Sequence, residues 1–117
     1  MHIPHLLAEL YDCCSDIEDP ALLMQAAEAA AAKVGATVVN TSRTIYQPHG
    51  ATVAVVLAES HILLTTWPEH RMMLFDAILC NPEMDPHAAL AEIRARFCPD
   101  GTVVTHQVCR VIAPGPD

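Results

Sequence analysis

Between residues 51 and 79 three apolar segments, "ATVAVVLA" (51–58), "SHILLTTW" (60–67) and "RMMLFDAIL" (71–79), follow one another with breaks of one and three residues. Short apolar runs rich in β-branched residues read as strands. Breaks this short leave no room for a crossover helix, so successive strands have to be antiparallel neighbours. The rest of the chain is arranged around that meander.

Upstream, "HLLAELY" (5–11) reads as a first strand and "ATVVNTSRTIY" (36–46) as another, the latter ending in the turn signal "QPHG". Between them, Pro20 opens "PALLMQAAEAAAAKVGA" and Gly35 closes it, the punctuation of a helix. Asp16, Glu18 and Asp19 stand before or at its N-terminus, where negative charge suits the helix dipole. A second helix is expected over "DPHAALAEIRARF" (85–97), with Asp85 as N-cap and Pro86 at the first position. A last strand, "GTVVTHQVCRVI" (101–112), precedes "APGPD", read as a frayed tail. The pattern predicts an α+β fold: a two-layer sandwich of a mostly antiparallel sheet with two helices packed on one face. The 117 residues suffice for one domain, 1–117. Strands this apolar leave a second sheet face to cover, so a homodimer is expected.

Apolar residues make up 52% of the chain and charged residues 17%, a globular composition. Fourteen acids against six Lys and Arg give a formal net charge of −8, which disfavours nucleic acid and anionic membranes as partners. There is no run long enough for a membrane span, and "MHIPHLLAELYDCC" lacks the marks of a signal peptide, so a cytoplasmic location is expected. Five cysteines, Cys13, Cys14, Cys80, Cys98 and Cys109, form no C-x-x-C pair. Most read as small buried hydrophobes, not as disulfides or zinc ligands. The seven histidines likewise show no metal-binding spacing, and no metal is expected.

On residues alone, "ESH" (59–61) reads as a strand break or β-bulge, since neighbours on a strand point to opposite faces and cannot form a triad. Its context says more. "AELYDC" (8–13), "GATVV" (35–39), "YQPHGATVAVVLAESHILLTTWPE" (46–69) and "FDAILC" (75–80) together closely resemble the prokaryotic S-adenosylmethionine decarboxylases, pyruvoyl enzymes of polyamine synthesis. The resemblance can be followed from about residue 5 to residue 97, with loops of matching length.

That resemblance implies self-cleavage between Glu59 and Ser60. The Ser60 hydroxyl attacks the preceding carbonyl, and β-elimination with loss of ammonia turns Ser60 into a pyruvoyl cofactor, the electron sink for decarboxylation. Cys80 matches the general acid that protonates the substrate carbon, a step for which a thiol's acidity is suitable. Glu69 matches the carboxylate that holds the ribose hydroxyls, Tyr46 stands where the family stacks a phenylalanine on adenine, and Thr52 replaces a serine that assists processing. The family's "IHTWPE" is "LTTWPE" here, so Thr65 occupies the place of the histidine that serves as processing base. The family's "EYGYAAVD", "FTCG" and "YGCD" are here "EHRMMLFD", "ILCN" and "YDCC". His70 and Arg71 are therefore candidate substrate ligands, His70 a candidate replacement for the missing base, or both are plain turn residues; Asp12 is an added acid. The implied substrate is the small molecule S-adenosylmethionine. L-ornithine or L-arginine with the same cofactor is an alternative, and an uncleaved regulatory homologue is a further one. The family forms dimers with active sites near the subunit interface.

Overall fold

The computed structural model describes residues 2–112, so the "APGPD" tail lies outside the described residues. In chain order the elements are β1 (His2–Leu10), α1 (Pro20–Lys33), β2 (Val38–Ile45), β3 (Ala51–Leu57), β4 (Ser60–Trp67), β5 (Met72–Ile78), α2 (Pro86–Phe97) and β6 (Val103–Val111), with one-turn 3-10 helices at Ser15–Glu18 and Pro68–His70. The strands form one six-stranded sheet in the order β2-β3-β4-β5-β1-β6. All five pairings are antiparallel. The expected meander is present as β2 to β5, and β1 sits between β5 and β6 because α1 and α2 carry the chain across the same sheet face.

Both helices begin as the sequence directs. Asp19 and Asp85 cap them, each accepting a 2.9 Å hydrogen bond from the backbone N–H two residues on, and a proline follows each cap. Such a cap is worth about 1 kcal/mol. On α1 the buried side chains are Leu23, Ala26, Ala27, Ala30 and Ala31, the three-and-four spacing of one helix face. Their small size lets α1 lie close to the sheet and to α2, which contributes Ala89, Leu90, Ile93 and Phe97. Opposite them, alternate strand positions supply the rest of the core: Leu6 and Leu10, Val53 and Val55, Ile62 and Leu64, Met73 and Phe75. None of the described helices is long and apolar enough to cross a membrane.

The other set of alternate positions forms the second face of the sheet, which no element among the described residues covers. Val56, Leu74, Val104 and Val108 are each at least 37% exposed there, together with Trp67. Cys13 and Cys98 are fully buried in the core, as small hydrophobes, whereas Cys14 and Cys80 are half-buried and Cys109 is exposed on β6, so burial holds for two of the five cysteines and not for most. Burial raises both core thiols, Cys13 to about 12.

Candidate active site

The Glu59–Ser60 bond lies in a two-residue hairpin turn. Leu57 and Ser60 are paired as the last residue of β3 and the first of β4, leaving Ala58 and Glu59 as the turn. Of the strand break or β-bulge expected at this point, the structure has the break; the register irregularity of the sheet lies elsewhere, between Val38 and Asn40. Two consecutive strands of matching length need a tight reversal, and "AE" supplies it without a glycine. Glu59 accordingly adopts φ +61°, the left-handed region. For a residue with a Cβ that conformation costs about 1 to 2 kcal/mol. The strain is stored one bond from the serine.

Two groups and a groove adjoin this bond. The Ser60 hydroxyl donates to the Ala58 carbonyl at 3.3 Å. Cys80, just past the end of β5, places its thiol 2.6 Å from the Glu59 carbonyl oxygen, the carbonyl of the 59–60 peptide itself. A surface groove beginning at Glu59 and Cys80 continues over Ile3, His5, Ile78 and Arg110. The half-buried thiol thus faces both the peptide bond and a cleft able to admit a small molecule.

At the opposite end of the sheet a second group forms. Thr52 and Thr65 are cross-strand partners, and their hydroxyls are hydrogen-bonded at 2.9 Å. The phenol of Tyr46 reaches Thr52 Oγ1 at 2.8 Å, extending the chain of hydroxyls to three. Tyr46 follows β2 in a turn closed by its own N–H on the Gly50 carbonyl. Gly50 has φ +95°, and a Cβ there would stand 2.7 Å from the Thr66 carbonyl oxygen, so the "PHG" turn requires its glycine. Glu69 and His70 are exposed in the 3-10 turn that follows β4. Arg71 takes φ +51° and its Nε donates to the Cys13 carbonyl at 3.2 Å, tying β5 to the loop after β1. Asp12, also left-handed at φ +57°, begins that loop.

The sequence-derived residues thus fall into two groups. Glu59, Ser60 and Cys80 are together at one end; Tyr46, Thr52, Thr65, Glu69, His70, Arg71 and Asp12 are at the other. Ser60 and Thr65 are five residues apart on one strand, a separation of roughly 16 Å. A second convergence, of His5, His61 and Asp76 on the uncovered sheet face, was not legible in the histidine spacing because its members come from three different strands.

Comparison with known proteins agrees with this architecture. Residues 4–110 match the family model described as S-adenosylmethionine decarboxylase. The S-adenosylmethionine decarboxylase proenzyme of Thermosipho africanus is 36% identical over 91 residues, covering 77% of this chain and 70% of that protein. For the proenzyme of the same description from Thermotoga maritima the identity is 34% over 91 residues, with the same coverage. Among solved structures, the adenosylmethionine decarboxylase of Aquifex aeolicus superposes with a TM-score of 0.83 at 29% sequence identity, covering 98% of this chain and 95% of that one. The chain belongs to the S-adenosylmethionine decarboxylase family.

Proposed function

We propose that this chain is a proenzyme that cuts itself between Glu59 and Ser60 and, with the pyruvoyl group so formed, decarboxylates S-adenosylmethionine. The observation that carries this reading is the Cys80 thiol on the Glu59 carbonyl, beside a left-handed turn residue. A donor at that oxygen stabilises the negative charge that develops when Ser60 Oγ adds to the carbonyl carbon. The C–N bond then breaks, the nitrogen of residue 60 leaves as an amine carrying the proton that the hydroxyl gave up, and the acyl group rests on Ser60 as an ester. Loss of the Ser60 Cα proton expels the Glu59 carboxylate, and addition of water with release of ammonia leaves a pyruvoyl group on residue 60. The residues present fit that group: the serine begins β4 directly after the turn, with the Cys80 thiol at the same peptide and a groove leading from Glu59 and Cys80.

The pyruvoyl carbonyl supplies an electron sink for a substrate amine whose carboxylate departs. After cleavage the Cys80 thiol no longer faces a peptide carbonyl; it is free to deliver its proton to the carbon that carbon dioxide has left. Glu69 accepts hydrogen bonds from a diol, and the Tyr46 ring offers a stacking face.

The roughly 16 Å between the two groups of residues favours a homodimer. A single chain holds the cleavage turn at one end of β4 and the hydroxyl chain with Glu69 at the other. A two-fold axis through the uncovered face brings each end of one copy to the opposite end of its partner, and buries the exposed apolar side chains there. In this arrangement each site takes Ser60 and Cys80 from one copy and Tyr46, Thr52, Thr65 and Glu69 from the other.

Co-expression of two inactive chains tests the proposal. Ser60→Ala lacks the cofactor serine and Glu69→Ala lacks the diol acceptor, so each alone releases no carbon dioxide from S-adenosylmethionine. Mixed at random in equal amounts they recover about a quarter of the parent activity, because half of the dimers then carry one intact site. No recovery would overturn the shared site. Release of carbon dioxide from L-ornithine or L-arginine but not from S-adenosylmethionine by the parent would overturn the substrate assignment in favour of a cationic amino acid.

A further inference from the structure

The uncovered face carries a cluster that none of the steps above uses. His5 on β1 and His61 on β4 are both paired with Ile78 of β5, so they stand on either side of the same residue. Asp76, two residues back along β5, lies on the same sheet face. His5 Nε2 is 2.7 Å and His61 Nε2 is 3.0 Å from one and the same Asp76 oxygen, Oδ1. The two imidazoles meet at 88°, with ring centroids 6.3 Å apart. All three ligand atoms lie within 4.8 Å of one another.

We propose that His5, His61 and Asp76 form a binding site for a divalent first-row transition-metal ion of the zinc type. Each carboxylate oxygen can accept two hydrogen bonds, so the two His–Asp contacts alone are ordinary. What points to an ion is that two imidazole nitrogens and a carboxylate oxygen, from three different strands, lie within 4.8 Å of one another. Donors bound at about 2.1 Å to one ion stand about 3 to 3.4 Å apart, so the present spacing needs only small shifts of these side chains to close around a metal. Two imidazoles and one carboxylate suit Zn²⁺, Co²⁺ or Fe²⁺, whereas Mg²⁺ and Ca²⁺ prefer all-oxygen sets. In the single chain the side chains are 12% (His5), 31% (His61) and 30% (Asp76) exposed, and His5 also lines the groove that begins at Glu59 and Cys80, a route for an ion that does not require the whole sheet face to be bare.

Placement suggests the use. His61 follows Ser60 directly, so an ion here ties the start of β4 to β5 and β1. On the reading that the chain is cut at 59–60, this clip anchors the new end of β4 after its covalent link to the turn is gone. The site itself does not depend on the cut.

The experiment is titration of metal-free protein with ZnCl₂ by calorimetry and with CoCl₂ by visible absorption, on both the parent and the Ser60→Ala chain. One ion per chain is expected in each, so a failure of cleavage leaves the metal result readable. Asp76→Asn and His61→Gln, checked for fold by circular dichroism, should each weaken binding by at least about a hundredfold. X-ray absorption of the zinc-loaded parent should show nitrogen and oxygen neighbours only, and serves also if a variant does not fold. No binding, binding unchanged in the variants, or sulfur among the ligands would overturn the site; the last would place the ion on the cysteines.

Discussion

Replacing Cys80 separates the two tasks assigned to its thiol. In the uncut chain the thiol stands 2.6 Å from the Glu59 carbonyl oxygen, the atom that turns negative when Ser60 attacks. Removing one strong donor from such an oxygen costs a factor of about 10² to 10³ in rate. A thiol is a weak donor, so Cys80→Ala should slow self-cleavage by about tenfold to a hundredfold, about 1.4 to 2.7 kcal/mol of barrier. Cys80→Ser restores an O–H at nearly the same place and should cleave within about threefold of the parent. A hydroxyl is a much weaker acid than a thiol, however, so the processed serine variant should lose at least about a hundredfold in decarboxylation. A time course on denaturing gels from freshly synthesised chain gives the first rate, and carbon dioxide release from cleaved protein gives the second. Cleavage of Cys80→Ala at the parent rate would refute the role given to the thiol in processing. Equal decarboxylation by the serine variant would refute its role as acid.

Other consequences concern residues farther from the bond. Thr65 holds a hydroxyl where relatives are expected to hold a base, so Thr65→His should cut faster than the parent on the same gels, and an unchanged rate would count against that position. Cys13 is fully buried and its thiol is pushed up to about 12 by burial, from 9.0. The unfolded thiol therefore ionises first as pH rises, and stability that is complete below about pH 9 falls through the window up to about pH 12, by on the order of 2 to 4 kcal/mol. Urea midpoints at about pH 8 and about pH 10.5 should show the fall in the parent and much less of it in Cys13→Ala.

Much of this architecture is legible in the sequence because its determinants are local. Asp19-Pro20 and Asp85-Pro86 announce the two helices, and the short breaks at Glu59 and at Pro68–His70 enforce an antiparallel meander. The placement of β1 between β5 and β6 is not local; it follows from where the helices cross, whereas the bare second face was already implied by two helices packed on one side of an apolar sheet. For the site, the family pattern names residues without saying where they stand. Only the structure shows that Tyr46, Thr52 and Thr65 share hydroxyl contacts, that Cys80 meets the Glu59 carbonyl, and that Arg71 donates to the Cys13 carbonyl. The His5, His61 and Asp76 cluster was hidden for the same reason: 56 and 15 residues of sequence separate members that strand pairing brings together. The "ESH" stretch illustrates both sides. Ser60 and His61 begin a strand, as the sequence suggests, yet the left-handed Glu59 before them ends a turn and holds a strained peptide under a thiol.

The most direct test of the account is the intact mass of the purified protein under denaturing conditions. Two fragments are predicted, one ending at Glu59 and one beginning at residue 60 with a pyruvoyl group in place of serine, the latter resistant to stepwise N-terminal degradation. A single uncut chain of 117 residues after prolonged incubation would contradict it.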